Sequence, residues 1–496
     1  MNQEPLSPVC FRAAQWMKVW VVFLMLVLVH QPADGEIVID AGRLAARLHD
    51  GPVGLCLSFP TDEDARYPER VRSHAEALGE MKAGTLRWPM GTLADNYLWH
   101  TPGGYESVDE GLKPCVASGK APADWGYCTN PDGTIKASAM DFDEFIALCR
   151  ELNAEPVVMV NALGHIHPGA RYDYRQIKTS AVELVKYAKR KNYQVKYWEI
   201  GNEVSIPIKK GEMSVGDYVA LFNDFTTAMK QADPSVMTGL GLGFGYFKEV
   251  LDATRERADF IVPHVYVSGY PSYAAYANDG RAIQLRSVRA AQDAIDAQPE
   301  PYRSKLRILV TEFSSYSPQR RWDNFHNDIG KSLVTFDLAA TVLSGYPSVD
   351  YLHFWVTHSP WGGEGGMKND YANALDRYLN VLPQGRALGV FNRFARGRMV
   401  VLDPARGKLR VFATHSPSAG TLSIYLLNKS TKPMVRTVRL KNYDGSRPGG
   451  VWVYRGGGSP SSLETTLVRT GPVAVEDGVF EITLPPVSVS VAAFGF

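Results

Sequence analysis

From Val53 to about Ser359, short apolar runs alternate with longer amphipathic stretches, the pattern of repeated β-α units on a parallel sheet. The runs are Val53 to Phe59, Thr85 to Trp88, Pro156 to Asn161, Val195 to Ile200, Met237 to Leu242, Phe260 to Val267, Leu306 to Thr311 and Tyr351 to Thr357. Between them lie helical patterns. One is capped by Ser214 with Asp217 as its capping-box partner and carries Tyr218, Phe222, Phe225 and Met229 on one face; another is expected to begin at Ser180, with Glu183 three residues on. Eight strands, each followed by a helix or long loop, predict an α/β fold, a (β/α)8 TIM barrel over residues 49–396, with its chemistry at the C-terminal strand ends. A doubly wound open sheet is the competing reading, but no Gly-rich phosphate fingerprint follows the first strand.

Past Gly397 the texture changes to alternating strands without long helices: Leu409 to Thr414, Leu422 to Leu427, Val435 to Leu440, Val451 to Tyr454 and Val487 to Ala493. This predicts an antiparallel β-sandwich over 397–496. The short alternating stretch Ile37 to Ile39, in the segment 36–48, precedes the barrel and is assigned to that sandwich as an N-terminal strand.

The first 35 residues read as a secretory signal peptide: Lys18 precedes the apolar run Val19 to Val29, and Ala33 and Gly35 suit cleavage before Glu36. Such a run rises only about 16 Å as a helix, against roughly 30 Å of hydrocarbon, so it is short for a stable span. The long leader before Lys18 leaves an uncleaved anchor as the alternative. A secreted location, extracellular or periplasmic, and no membrane association after cleavage are therefore expected. Cys115 and Cys128 flank a Gly/Pro-rich stretch and are predicted to be joined; Cys149 shares a helical face with Phe142, Phe145 and Ile146 and is predicted to be a buried thiol. Asn428-Lys429-Ser430 is a glycosylation sequon at a strand end.

With 53 Lys plus Arg against 52 Asp plus Glu, no broad field favours nucleic acid or an anionic surface, so the partner is recognised locally. Ten Trp, 24 Tyr and 20 Phe give many rings that could lie flat against sugars, although most serve the core of a chain of 496 residues.

The strongest local signal is Tyr197-Trp198-Glu199-Ile200-Gly201-Asn202-Glu203-Val204, a predicted strand running into an Asn-Glu pair. An acid at a barrel mouth in partly apolar surroundings can hold a proton near neutral pH and deliver it to a glycosidic oxygen, while Asn202 hydrogen-bonds a sugar hydroxyl. A second strand, Arg307 to Phe313, carries a lone acid, Glu312, which suits a nucleophile. On the fourth and seventh strands the two acids face each other across the mouth, as a retaining glycosidase requires.

These segments resemble the retaining glycoside hydrolases of clan A, which implies a (β/α)8 barrel with acid/base and nucleophile on strands four and seven. Thr311-Glu312-Phe313-Ser314-Ser315-Tyr316-Ser317-Pro318 looks like the nucleophile segment of family 39, which includes β-xylosidases. Leu86-Arg87-Trp88-Pro89-Met90-Gly91, followed by Tyr97-Leu98-Trp99, is similar to the segment after strand two in family 51, which includes α-L-arabinofuranosidases. Both families combine N-terminal and C-terminal strands in a β-sandwich. The chain departs from family 51 at Met90, where Gly is usual, and at Thr311-Glu312-Phe313, where an Asp-Glu-Trp type is common; it departs from family 39 at Gly201, where Trp is common.

The same geometry, with support from the resemblance, gives Arg87 the task of stabilising the ionised nucleophile and His264 and Tyr266 that of orienting it or the sugar. Trp355 is expected to stack on a sugar ring, with Trp361 and the glycines around Glu364 nearby; Asn161 and Trp99 are weaker candidates. His165 and His167 lack a third ligand motif, so neither a metal nor another cofactor is expected. The expected substrate is a plant or algal polysaccharide or oligosaccharide. An L-arabinofuranoside comes first and a β-D-xyloside second, in a pocket walled by Trp99, the Cys115 to Cys128 loop and the Trp361 loop. Agarase- or uronidase-like action is a further variant. A non-catalytic carbohydrate-binding protein is the competing class, opposed by retention of both acids. A structural or adhesion protein would show repeats, and none is present.

Overall fold

The computed structural model describes residues 36–59, 62, 70–96, 98–99, 140–166, 173–267, 270–280, 283, 285–315, 327–359, 372–402, 407–443 and 447–496. The leader, the Cys115 to Cys128 loop and the Trp361 loop therefore lie outside the described residues.

Two strands precede the barrel, β1 (Ile37–Asp40) and β2 (Leu44–Arg47). Eight parallel strands then close on themselves: β3 (Val53–Cys56), β4 (Thr85–Trp88), β5 (Glu155–Val160), β6 (Tyr197–Ile200), β7 (Met237–Gly243), β8 (Phe260–Tyr266), β9 (Arg307–Ser314) and β10 (Val349–Phe354). Each falls on one of the eight apolar runs, because a strand covered on one face by helices and on the other by the barrel interior has no solvent face to keep polar. Several of the connecting helices start where a side chain satisfies their first N–H groups. Ser214 and Asp217 form the expected capping box before Val215–Ala232. Ser180 does not open a helix: Asp173 and Gln176 form a capping box seven residues earlier, at the head of Tyr174–Arg190. Ser180 lies mid-helix, and its hydroxyl accepts the Trp99 backbone N–H at 2.7 Å.

The C-terminal part is built from β11 (Arg398–Val400), β12 (Leu409–Ser416), β13 (Thr421–Asn428), β14 (Met434–Lys441), β15 (Gly449–Arg455), β16 (Thr466–Val473), β17 (Val479–Leu484) and β18 (Ser488–Phe494). Seven strands form one sheet in the order β16-β15-β18-β13-β12-β11-β2, and three form the facing sheet, β1-β14-β17. Both N-terminal strands thus serve this sandwich, one in each sheet. The sandwich is not wholly antiparallel: β1 runs parallel to β14, from Ile37 against Val438 to Asp40 against Lys441. Ile39, Val438, Phe480 and Ile482 meet Leu422, Ile424, Leu426 and Phe494 between the sheets. The opposite face of the large sheet packs on the barrel, where Tyr425 stacks on Phe391 with ring centroids 5.3 Å apart. β13 is consequently buried at every position, and Asn428 at its end is fully enclosed. The Asn428 amide donates to the carbonyls of Lys432, Leu484 and Pro485, so it is not presented for glycosylation.

Candidate active site

Side chains of a barrel strand alternate between the interior and the helix layer. Val157, Tyr197, Phe260, Leu309 and Tyr351 make an apolar cluster low in the barrel. Two residues further along their strands stand Met159, Glu199, Thr311 and His353, and the interior turns polar. Arg87, on β4, is fully buried in this layer. Its Nε and Nη2 donate to the two oxygens of Glu199 at 2.9 and 3.0 Å, and its Nη1 donates to Glu312 Oε1 at 2.9 Å. Nη2 also donates to Asn202 Oδ1 at 3.0 Å.

Glu312 projects from β9 and is almost wholly buried. Its second oxygen accepts the Tyr266 hydroxyl at 2.5 Å. His264 Nδ1 lies 3.0 Å from Glu203 Oε1 and 3.4 Å from Glu312 Oε2, while its Nε2 faces Thr311 Oγ1 at 3.1 Å. One carboxylate oxygen of Glu203 and one of Glu312 lie within 4.8 Å of each other, with a His264 nitrogen also inside that distance of both. Glu203 sits three residues past β6, in a turn where Gly201 has φ +80° and Glu203 itself φ +49°. Left-handed backbone costs a residue with a Cβ roughly 1–2 kcal/mol, a strain this turn holds in order to aim the acid.

Two glycines make room for the acids. A Cβ on Gly91 would fall 2.5 Å from Glu312 Oε1 and 3.0 Å from two ring carbons of Trp355, so the indole borders the Glu312 carboxylate. A Cβ on Gly243 would lie 3.1 Å from Glu203 Cγ. On the solvent side the half-exposed Phe244 ring meets His264 edge-on at 5.9 Å.

Burial pushes the Glu312 carboxyl up, and the charge of Glu203 adds to that; His264, Arg87 and the Tyr266 hydrogen bond oppose it without cancelling it. Burial alone would lower His264, but the negative Glu312 and Glu203 outweigh it and hold the imidazole above its ordinary value.

The structure brings Arg87, Asn202, Glu203, His264, Tyr266, Glu312 and Trp355 to one mouth. Trp99 does not join them: it is fully buried against Tyr187, centroids 4.9 Å apart, and is core rather than pocket wall. Asn161 ties two loops together, donating to the Asp95 carbonyl at 2.5 Å and accepting from Gly164 N at 2.9 Å. His165 borders a separate groove with Tyr174, Glu212 and Asp217; His167 lies outside the described residues. Glu199, Thr311 and Gly91 were not expected at the site. Cys149 is buried and free, as expected; the Cys115–Cys128 pair lies outside the described residues.

Among the described residues, two donor sets could on composition hold a cation, Glu203–His264–Glu312 and Asp62–His74–His358. In the first, Arg87 already places a guanidinium 2.9 Å from Glu312, which opposes a second positive charge there. In the second, Asp62 accepts from Ser58 N, the Thr357 hydroxyl and His358 Nδ1 at 2.6–2.7 Å, an arrangement already closed by hydrogen bonds.

Residues 77–278 match the model of the alpha-L-arabinofuranosidase 1 domain. The chain is 24% identical over 292 residues to an intracellular exo-alpha-(1->5)-L-arabinofuranosidase of Acetivibrio thermocellus, covering 54% of this chain and 51% of that one. It is 30% identical over 171 residues to alpha-L-arabinofuranosidase C of Emericella nidulans, covering 32% of this chain and 30% of that one. The chain thus spans about half the length, or less, of these curated relatives. An α-L-arabinofuranosidase from Thermotoga maritima, solved with arabinose, superposes with a TM-score of 0.68 at 17% identity, over 92% of this chain and 99% of that one. A family 30 endoxylanase from Clostridium papyrosolvens does so with a TM-score of 0.58 at 12% identity, over 93% of this chain and 100% of that one.

Proposed function

We propose, from the premise that this chain belongs with the α-L-arabinofuranosidases and their clan A relatives, that it hydrolyses glycosides by a retaining double displacement with Glu312 as nucleophile and Glu203 as acid/base. The observation that carries this reading is the close approach of the two acids: one oxygen of each lies within 4.8 Å of the other and both face one His264 nitrogen, in keeping with the roughly 5–5.5 Å carboxyl spacing of retaining enzymes. Arg87 and Tyr266 each hold one oxygen of Glu312, which fixes the carboxylate for attack on the anomeric carbon. His264 holds Glu203 in the left-handed turn that aims its proton at the leaving oxygen. Asn202 Oδ1 is taken by Arg87 and its Nδ2 donates one N–H to the Thr92 hydroxyl at 3.4 Å, which leaves the second N–H for a sugar hydroxyl; Trp355 forms the apolar side of the subsite.

The substrate reading is a terminal L-arabinofuranoside, supported by what the named relatives cleave; a β-D-xyloside is second, supported by the Thr311 to Pro318 segment. Trp99 supplies no pocket wall, so the closed pocket rests on loops outside the described residues. Export is likewise a proposal from the leader, which mature protein beginning at Glu36 would support and full-length protein retained in the cytoplasm would refute; two curated relatives are named intracellular.

The test is an aryl pentoside panel with product configuration read by proton NMR. The retained anomer is expected first. Glu203→Ala should slow poor leaving groups far more than activated ones and be rescued by azide as the retained glycosyl azide, whereas Glu312→Ala should lose turnover by about 10³-fold or more. An inverted first product would overturn the mechanism.

A further inference from the structure

Arg87 holds two carboxylates, and the second needs a reason. A guanidinium whose only task was to keep Glu312 ionised would do so better alone, because Glu199 takes both Nε and Nη2, at 2.9 and 3.0 Å, with an opposing charge. Glu199 is fully buried, and its Oε1 also accepts from the Thr311 hydroxyl at 3.3 Å, on the hydroxyl that faces His264. It therefore lies beneath both reacting acids, on β6, the strand that leads into Glu203, without touching the space a sugar would fill.

The charge count across the covalent step supplies the reason. Before reaction, Arg87, Glu199 and Glu312 sum to one negative charge. An oxygen of Glu312 then bonds to the anomeric carbon, the bond to the leaving oxygen breaks, and that oxygen takes the proton of Glu203. Glu312 is now a neutral ester, and Arg87 with Glu199 sums to zero. Without Glu199 the same step would leave an unpaired guanidinium in a dry interior, one of the least favourable arrangements a protein can hold. We propose that Glu199 is a positioning residue that keeps Arg87 paired and its plane fixed while Glu312 is esterified. This rests on the double-displacement reading above.

The consequence is a split between the two chemical steps. In Glu199→Gln, which keeps the shape and removes the charge, Arg87 acts undivided on Glu312. It should favour the carboxylate over the ester, hindering formation of the glycosyl-enzyme and easing its breakdown. With an activated aryl pentoside, kcat/KM, which reports the first step, should fall by about tenfold while kcat, limited by the second, holds or rises. A structural defect alone would lower both. In protein labelled with 13C at the glutamate carboxyls, with Glu312→Gln assigning the signal, the Glu312 titration should move down by about one pH unit in Glu199→Gln. Glu199→Asp, which keeps the charge, should stay near wild type. If the glutamine variant does not fold, wild type trapped with a 2-fluoro aryl pentoside decides: the Glu199 signal should stay at its ionised position, and a move to the protonated one would overturn the proposal. An unmoved Glu312 titration, or equal losses in kcat and kcat/KM, would also overturn it. The titration needs no substrate, so a wild type that turns over no pentoside would sink the functional reading while the charge coupling was still measured.

Discussion

Asp95 is fully buried beneath the loop that follows β5, where its carboxylate accepts the N–H groups of Ala162 and Leu163 at 3.2 Å each. Burial pushes its carboxyl up to about 7, the two N–H groups pulling the other way. An acid raised above its unfolded value of about 3.9 binds its proton more tightly in the folded state, so its contribution is full below that value and is lost as pH rises through about 7. Asp95→Asn should remove this dependence: relative to the variant, wild type should lose on the order of 2–4 kcal/mol between pH 4 and 7.5, measured as urea midpoints across that range. Asp62 is the opposite case. Burial alone would raise it, but His358 and His74 hold its carboxyl well below the ordinary range, so its support is present above about pH 3.9 and fades only in stronger acid. At Glu203 the left-handed backbone has a cost of its own. Glu203→Gly should gain up to about 1 kcal/mol in thermal or urea stability relative to Glu203→Ala, since both lose the carboxylate and only one keeps the strain.

At the scale of elements, what could be read in the sequence follows from which pattern each element had to satisfy. The barrel strands were legible because burial on two faces leaves continuous apolar runs, and Val215–Ala232 because its cap and inner face agree. Tyr174–Arg190 was read as starting late: Ser180 and Glu183 imitate a capping box, while the true one, Asp173 with Gln176, precedes a half-polar first turn. Ser180 sits there to serve Trp99, and Ser180→Ala should cost about 1–3 kcal/mol by stranding a buried N–H, measured by urea unfolding. Strands β16 and β17 were missed because β16 lies at the sheet edge, largely exposed with Gly471-Pro472 near its end, and β17 alternates over few residues. The two candidate acids were singled out by their positions near strand ends. Glu199 was not, since a buried charge inside a strand has the same letters as a solvated one, and only its partner on another strand tells them apart.

The barrel and the sandwich are joined by buried polar contacts as well as by rings. Arg410 of β12 donates to Asp337 of the helix Ile329–Gly345 at 3.1 Å, and the Tyr276 hydroxyl reaches the same carboxylate at 3.1 Å. Removing one partner of such a pair leaves the other charged and enclosed, so Arg410→Met should cost about 3–5 kcal/mol, and Arg410→Met with Asp337→Leu less than the sum of the two, in a double-mutant cycle of urea unfolding. The two short strands ahead of the barrel carry a different consequence, one of time. Ile37 pairs with Val438 and Arg47 with Arg398, so on a ribosome adding about 5–20 residues per second the first-made strands wait some tens of seconds or more for partners made last. Throughout that interval the barrel segment, whose strands are contiguous from Val53 to Phe354, emerges ahead of its sandwich, and Ile37 and Ile39 stay open to any passing strand.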